Sequence, residues 1–151
     1  MTEQRTILLV EDNAQDEQLI LRALRKANLA NHVDVVRDGQ QALDWLFAEG
    51  EFHDRSTSAL PAVVLLDVKL PRVNGMDVLH RLRADPRTRL LPVVLLTSSS
   101  EEDDQLRGYE RGANSFVHKP LDFGEFAEKI AHLGVYWLAV NAPPPPRGRD
   151  G

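Results

Sequence analysis

The sequence predicts an α/β protein built on a doubly wound, five-stranded parallel sheet. Three observations point there. Five short apolar runs of strand length, rich in β-branched residues, recur along the chain. Amphipathic segments at helical spacing separate them, the alternation that gives a parallel sheet with helices on both faces. Charged and hydroxyl residues stand just past several of the runs, where the carboxyl ends of parallel strands meet.

The elements follow in order. TILLV (6–10) is the first strand, and Asn13 caps a helix that places Leu19, Ile20, Ala23, Leu24 and Ala27 on one face. HVDVVRD (32–38) alternates as the second strand. A helix from Gly39 to about Glu49 carries Ala42, Leu43, Leu46 and Phe47, and the polar stretch 50–61 reads as a loop. AVVLL (62–66) is the third strand. Pro71 and Gly75 break the pattern before a third helix in MDVLHRLRAD. PVVLLT (92–97) is the fourth strand. Ser99 with Glu102 and Ser100 with Asp103 form capping-box pairs that open a fourth helix, ending near Arg111. NSFVHK (114–119) is the fifth strand. Asp122 caps a last helix with Phe123, Phe126, Ile130 and Leu133 on one face. Periodicity does not give the strand order.

The chain of 151 residues suits one domain with one real core. Its net charge of −5 argues against free nucleic acid as the primary partner. It has no cysteine, which excludes disulfide and thiol chemistry and fits a reducing compartment. No window reaches the length of a membrane span, and the N-terminal apolar run is too short for a signal peptide. Cytoplasm is the expected location, with no membrane partner.

The run VVLLDVKLP (63–71) ends its apolar stretch in a carboxylate, Asp67. A charge inside a buried strand is costly, but at the strand's carboxyl end it stands in a crevice. Glu11 and Asp12 follow the first strand in the same way. Three converging carboxylates repel unless a cation holds them, and an all-oxygen set suits Mg²⁺. Thr97 ends the fourth strand and Lys119 the fifth; a hydroxyl and an ammonium are donors for a phosphoryl group. Each residue alone is most simply a cap, a packing residue or a surface charge. Their joint occurrence at the ends of different strands points to a site in which Asp67 is the nucleophile toward phosphorus.

The motifs LLVEDN (8–13), LLDVKLPRVNG (65–75), LLTSS (95–99) and FVHKP (116–120) resemble those of response-regulator receiver domains of bacterial two-component signalling. The resemblance covers residues 6 to about 133. It implies a flavodoxin-like fold with strand order 2-1-3-4-5. It implies that Asp67 accepts a phosphoryl group from a phosphohistidine on a sensor histidine kinase. Glu11, Asp12, Asp67 and the backbone carbonyl of Lys69 would hold Mg²⁺, and Thr97 and Lys119 would bind phosphoryl oxygens. It further implies a cis peptide between Lys119 and Pro120, and a switch in which Thr97 moves inward and Phe116 follows. The Lys69 side chain is expected to reach toward the phosphoryl group or the mouth of the site.

The last helix runs on through LGVYWLAVN (133–141), apolar nearly all round. This extension, 134–141, resembles that of small receivers serving bacterial phytochromes, which lack an output domain. That resemblance implies a bacteriophytochrome kinase as partner. It also implies a homodimer through the face of the fourth helix, fifth strand and last helix, with Tyr136, Trp137 and Leu138 on it. The alternative for these three is a helix folded back on its own domain. The domain is expected over 1–141 and a disordered proline-rich tail over 142–151, with no output domain after residue 133.

Two other readings compete. A phosphatase of the haloacid-dehalogenase type would need a second Asp two residues after the nucleophile, and Lys69 stands there. A receiver-like binding module that is never phosphorylated would have no reason to keep all five active-site positions.

Overall fold

The structure is a computed structural model, and it describes residues 6–29, 33–55, 60–97, 107–119 and 123–140. Five parallel strands, β1 (Ile7–Val10), β2 (Val33–Val36), β3 (Val63–Asp67), β4 (Val93–Thr97) and β5 (Ser115–His118), form one sheet in the order β2-β1-β3-β4-β5. The strand order is the one that the family resemblance implied. β1, β3 and β4 are buried along their whole length, as apolar runs covered on both faces must be. β2 lies at the sheet edge and is only partly buried.

Successive side chains on a strand point to opposite faces, so the sheet feeds two cores. Leu8, Val10, Val64, Leu66, Val93 and Leu95 pack with α2 (Gly39–Phe47) and α3 (Gly75–Ala84). Ile7, Leu9, Val63, Leu65, Val94 and Leu96 pack with α1 (Ala14–Lys26) and the C-terminal helix (Phe123–Val135).

The helix starts follow their capping residues. Asn13 accepts from the Asp16 amide and Asn74 from the Asp77 amide, each at the head of its helix. α2 stops at Phe47, two residues short of the sequence expectation, because Ala48 adopts a left-handed conformation (φ 53°). The expected loop after it contains one 3₁₀ turn, Gly50–Phe52. Residues 107–110 are helical and belong to the predicted fourth helix. The capping pairs at 99–103, the Asp122 cap and the Lys119–Pro120 peptide lie outside the described residues, as do residues 141–151.

The C-terminal helix continues as a π-helical turn, Tyr136–Val140. That turn rolls Trp137 onto the second core, where it is buried, with Leu138 packed beside it. Val135 and Tyr136 face outward, 41% and 45% exposed. The extension therefore covers part of its own domain and leaves a narrower apolar strip than its sequence suggests. The buried Trp137 Nε1 has no hydrogen-bond partner among the described residues.

Candidate phosphoacceptor site

Register explains why the acids meet. Val10 pairs with Leu66 across β1 and β3. One step further in each chain come Glu11 and Asp67, on the face that buries Leu9 and Leu65 toward α1. Carried one residue past β5, the same alternation puts Lys119 on the face of Val117. The Lys119 amide donates to the Thr97 carbonyl at 2.6 Å, tying the ends of β4 and β5 together. Glu11, Asp67 and Thr97 are buried, and Asp12 is exposed at the rim.

The Lys119 ammonium is the hub. Its Nζ donates to Glu11 Oε1 at 2.7 Å, Asp16 Oδ2 at 2.9 Å and Asp67 Oδ2 at 3.0 Å. The other oxygens are held by backbone amides, Asn13 N to Glu11 Oε2 (3.1 Å) and Lys69 N to Asp67 Oδ1 (3.2 Å). Burial pushes the Glu11 carboxyl up to about 8, the neighbouring Asp67 adds to this, and Lys119 opposes it. Burial also works against the Lys119 charge, but Glu11, Asp16 and Asp67 outweigh it and hold the ammonium above the usual lysine range.

Carboxylate oxygens of Glu11, Asp12 and Asp67 all lie within 4.8 Å of one another. Three hard oxygen donors without nitrogen or sulfur fit a Mg²⁺-type cation. The close approach of α3 to β3 shapes the other wall. The Gly75 amide donates to the Val68 carbonyl at 2.8 Å, and a Cβ there would stand 2.2 Å from the Asp67 carbonyl oxygen.

The family pattern of the response regulator receiver domain matches residues 7–131. The chain belongs to this family. Receiver domains are phosphoacceptor signalling proteins that bind Mg²⁺ at an acidic pocket and interact with histidine kinases. Among curated relatives, "Probable methanogenesis regulatory protein FilR2" of Methanothrix harundinacea is 39% identical over 140 residues, 93% of this chain and 88% of that protein. Response regulator Rcp1 of Synechocystis is 31% identical over 134 residues, 89% of each chain. The Mn²⁺-bound structure of Rcp1 superposes with a TM-score of 0.84, covering 93% of this chain and 99% of that one at 30% identity. The bacteriophytochrome response regulator RtBRR is 50% identical, with a TM-score of 0.76 over 95% of this chain and 86% of that one.

Within this receiver, the structure brings Glu11, Asp12, Asp67 and Lys119 together, with Thr97 at the end of the adjoining strand. Lys69 is exposed past Asp67. Phe116 is half-buried against the α2/α3 core, next to Gly108 and edge-on to His118 at 5.3 Å. Asp16 is the site residue that sequence reasoning missed. Its charge reads as an ordinary acid in a helix's first turn. Among the described residues no helix is long and apolar enough to cross a membrane.

Proposed function

We propose that this protein is a single-domain response regulator working in the cytoplasm, and that Asp67 accepts a phosphoryl group from a phosphohistidine of a sensor kinase. The observation that carries the reading is Lys119 Nζ, 3.0 Å from Asp67 Oδ2, in a pocket with three convergent carboxylates. Asp67 Oδ attacks phosphorus, the bond from phosphorus to the donor histidine nitrogen breaks, and an aspartyl phosphate results. Glu11, Asp12, Asp67 and the Lys69 carbonyl would hold Mg²⁺, which would offset the charge of the transferring group. Lys119 binds a phosphoryl oxygen as its bond to Asp67 is given up. Hydrolysis of the aspartyl phosphate resets the protein.

The new group adds roughly −1 to −2 of charge beside Thr97. The Thr97 hydroxyl turns toward it, and Phe116 moves into the space released. The outer face of residues 107–110, β5 and the C-terminal helix changes with it. That face carries a homodimer centred on Tyr136, with Trp137 and Leu138 supporting it from beneath. The similarity to RtBRR at 50% identity supports a bacteriophytochrome as the kinase. The receiver unit spans 1–141.

The test is intact mass after incubation with Mg²⁺ and acetyl phosphate. One added phosphoryl mass is expected in wild type and none in Asp67→Asn. Wild type that stays unmodified, with this donor and with a phosphorylated kinase, defeats the reading.

A further inference from the structure

Asp16 is the third carboxylate on Lys119, and it stands on α1 instead of at a strand end. An ammonium has three donors, and here Glu11, Asp16 and Asp67 take one each. The position of Asp16 is built from both sides. Its amide donates to the Asn13 side chain at 2.9 Å, which starts the helix. The next residue, Glu17, is buried and accepts two bonds from Arg37, both 3.0 Å, which ties the same turn to the end of β2. The first turn of α1 is thus fastened to β2 on one flank and to Lys119 on the other. Asp16 and Lys119 side chains are sheltered, 26% and 11% exposed.

The three partners of Lys119 are not equivalent. Glu11 and Asp67 belong to the carboxylate triad suited to a cation, and Asp16 lies outside it. A cation in the triad, or a phosphoryl group on Asp67, competes for the oxygens that Lys119 holds on Glu11 and Asp67. Among the described residues, Asp16 Oδ2 has no bond partner other than Lys119. We propose that Asp16 is a positioning residue that holds the Lys119 ammonium over the phosphoacceptor while its bonds to Glu11 and Asp67 are exchanged for a phosphoryl oxygen. This rests on Asp67 being the phosphoacceptor.

The experiment measures two dissociation constants by calorimetry for wild type, Asp16→Ala, Asp16→Asn and Asp67→Asn. One is for Mg²⁺ alone. The other is for beryllium fluoride, a phosphoryl mimic on carboxylates, at saturating Mg²⁺. A lost hydrogen bond between charged partners is worth about tenfold, so Asp16→Ala should bind beryllium fluoride about tenfold more weakly, with Mg²⁺ affinity within about threefold of wild type. The retained Mg²⁺ affinity reports that the variant is folded. Asp16→Asn keeps a carbonyl acceptor at the same reach and should recover most of the loss. An alanine variant that binds both like wild type overturns the proposal. So does an equal loss for both ligands, or an asparagine variant as weak as alanine. A wild type that binds beryllium fluoride no better than Asp67→Asn defeats the phosphoacceptor reading instead, and the wild-type arm alone separates the two failures.

Discussion

Glu11 and Asp67 stand side by side across β1 and β3, one step past the Val10–Leu66 pair, and a single ammonium, Lys119 Nζ, bonds both at 2.7 and 3.0 Å. The pairing puts two buried carboxylates where only one full negative charge is easily carried. Burial and Asp67 push the Glu11 carboxyl toward its protonated form, Lys119 is held charged, and a third acid stands at the rim to complete a set of oxygens suited to a cation. The site's resting electrostatics are therefore those of a pocket waiting for positive charge.

Proton and metal should compete at Glu11. With its folded carboxyl at about 8 and an ordinary value of 4.5 when unfolded, the metal-free fold holds this proton more tightly than the unfolded chain does. The Glu11 contribution to metal-free stability is thus full below pH 4.5 and is lost as pH rises through about 8. Mg²⁺ needs the carboxylate, so its affinity should strengthen with pH by up to about tenfold per unit until pH 8 and then level off. Calorimetric titrations at pH 6, 7, 8 and 9 check this. Glu11→Gln should bind more weakly and lose that slope. A flat profile in wild type would show that Glu11 carries no such proton.

Gly75→Ala should destabilise the fold, against the usual gain from replacing glycine in a helix. The added methyl would lie 2.2 Å from the Asp67 carbonyl oxygen and 2.9 Å from Val68 Cα, both backbone atoms that cannot swing aside. Overpacking of this kind costs about 1–3 kcal/mol. Urea unfolding measures it. A variant as stable as wild type, or more so, would mean that α3 does not press on β3 this closely. Because the strained atom is the carbonyl of Asp67, the proposed phosphoacceptor, the variant's Mg²⁺ affinity should fall as well.

Residues in the sequence announce this site to different degrees. Asp67, Glu11 and Lys119 are legible because each breaks or follows an apolar strand, and parallel strand ends share one edge. Asp16 is not, since nothing local distinguishes a first-turn acid that reaches a lysine 103 residues away from one that meets only water. Arg83 is silent in the same way. Its guanidinium bonds the Gly112 carbonyl and the Asn114 side chain, joining α3 to the entry of β5. Trp137 shows the reverse problem. Apolar composition marks it as a surface to be covered, and only the π-helical turn decides that its own domain does the covering.

That turn sharpens the prediction for assembly. Trp137 and Leu138 are spent on the intrachain core, so among the described residues the proposed self-association would rest on Val135 and Tyr136, with Tyr109 also exposed at 47%. Tyr136→Glu should therefore leave the fold and the phosphorylation of Asp67 intact while abolishing dimers. Trp137→Ala should instead lower stability by about 3–5 kcal/mol, because it empties a packed core position. Light scattering on the wild type and Tyr136→Glu, with and without acetyl phosphate and Mg²⁺, separates the two residues. A wild type that stays monomeric at micromolar concentration in both states rules out the dimer. A Tyr136→Glu variant that dimerises as wild type does would move the interface elsewhere.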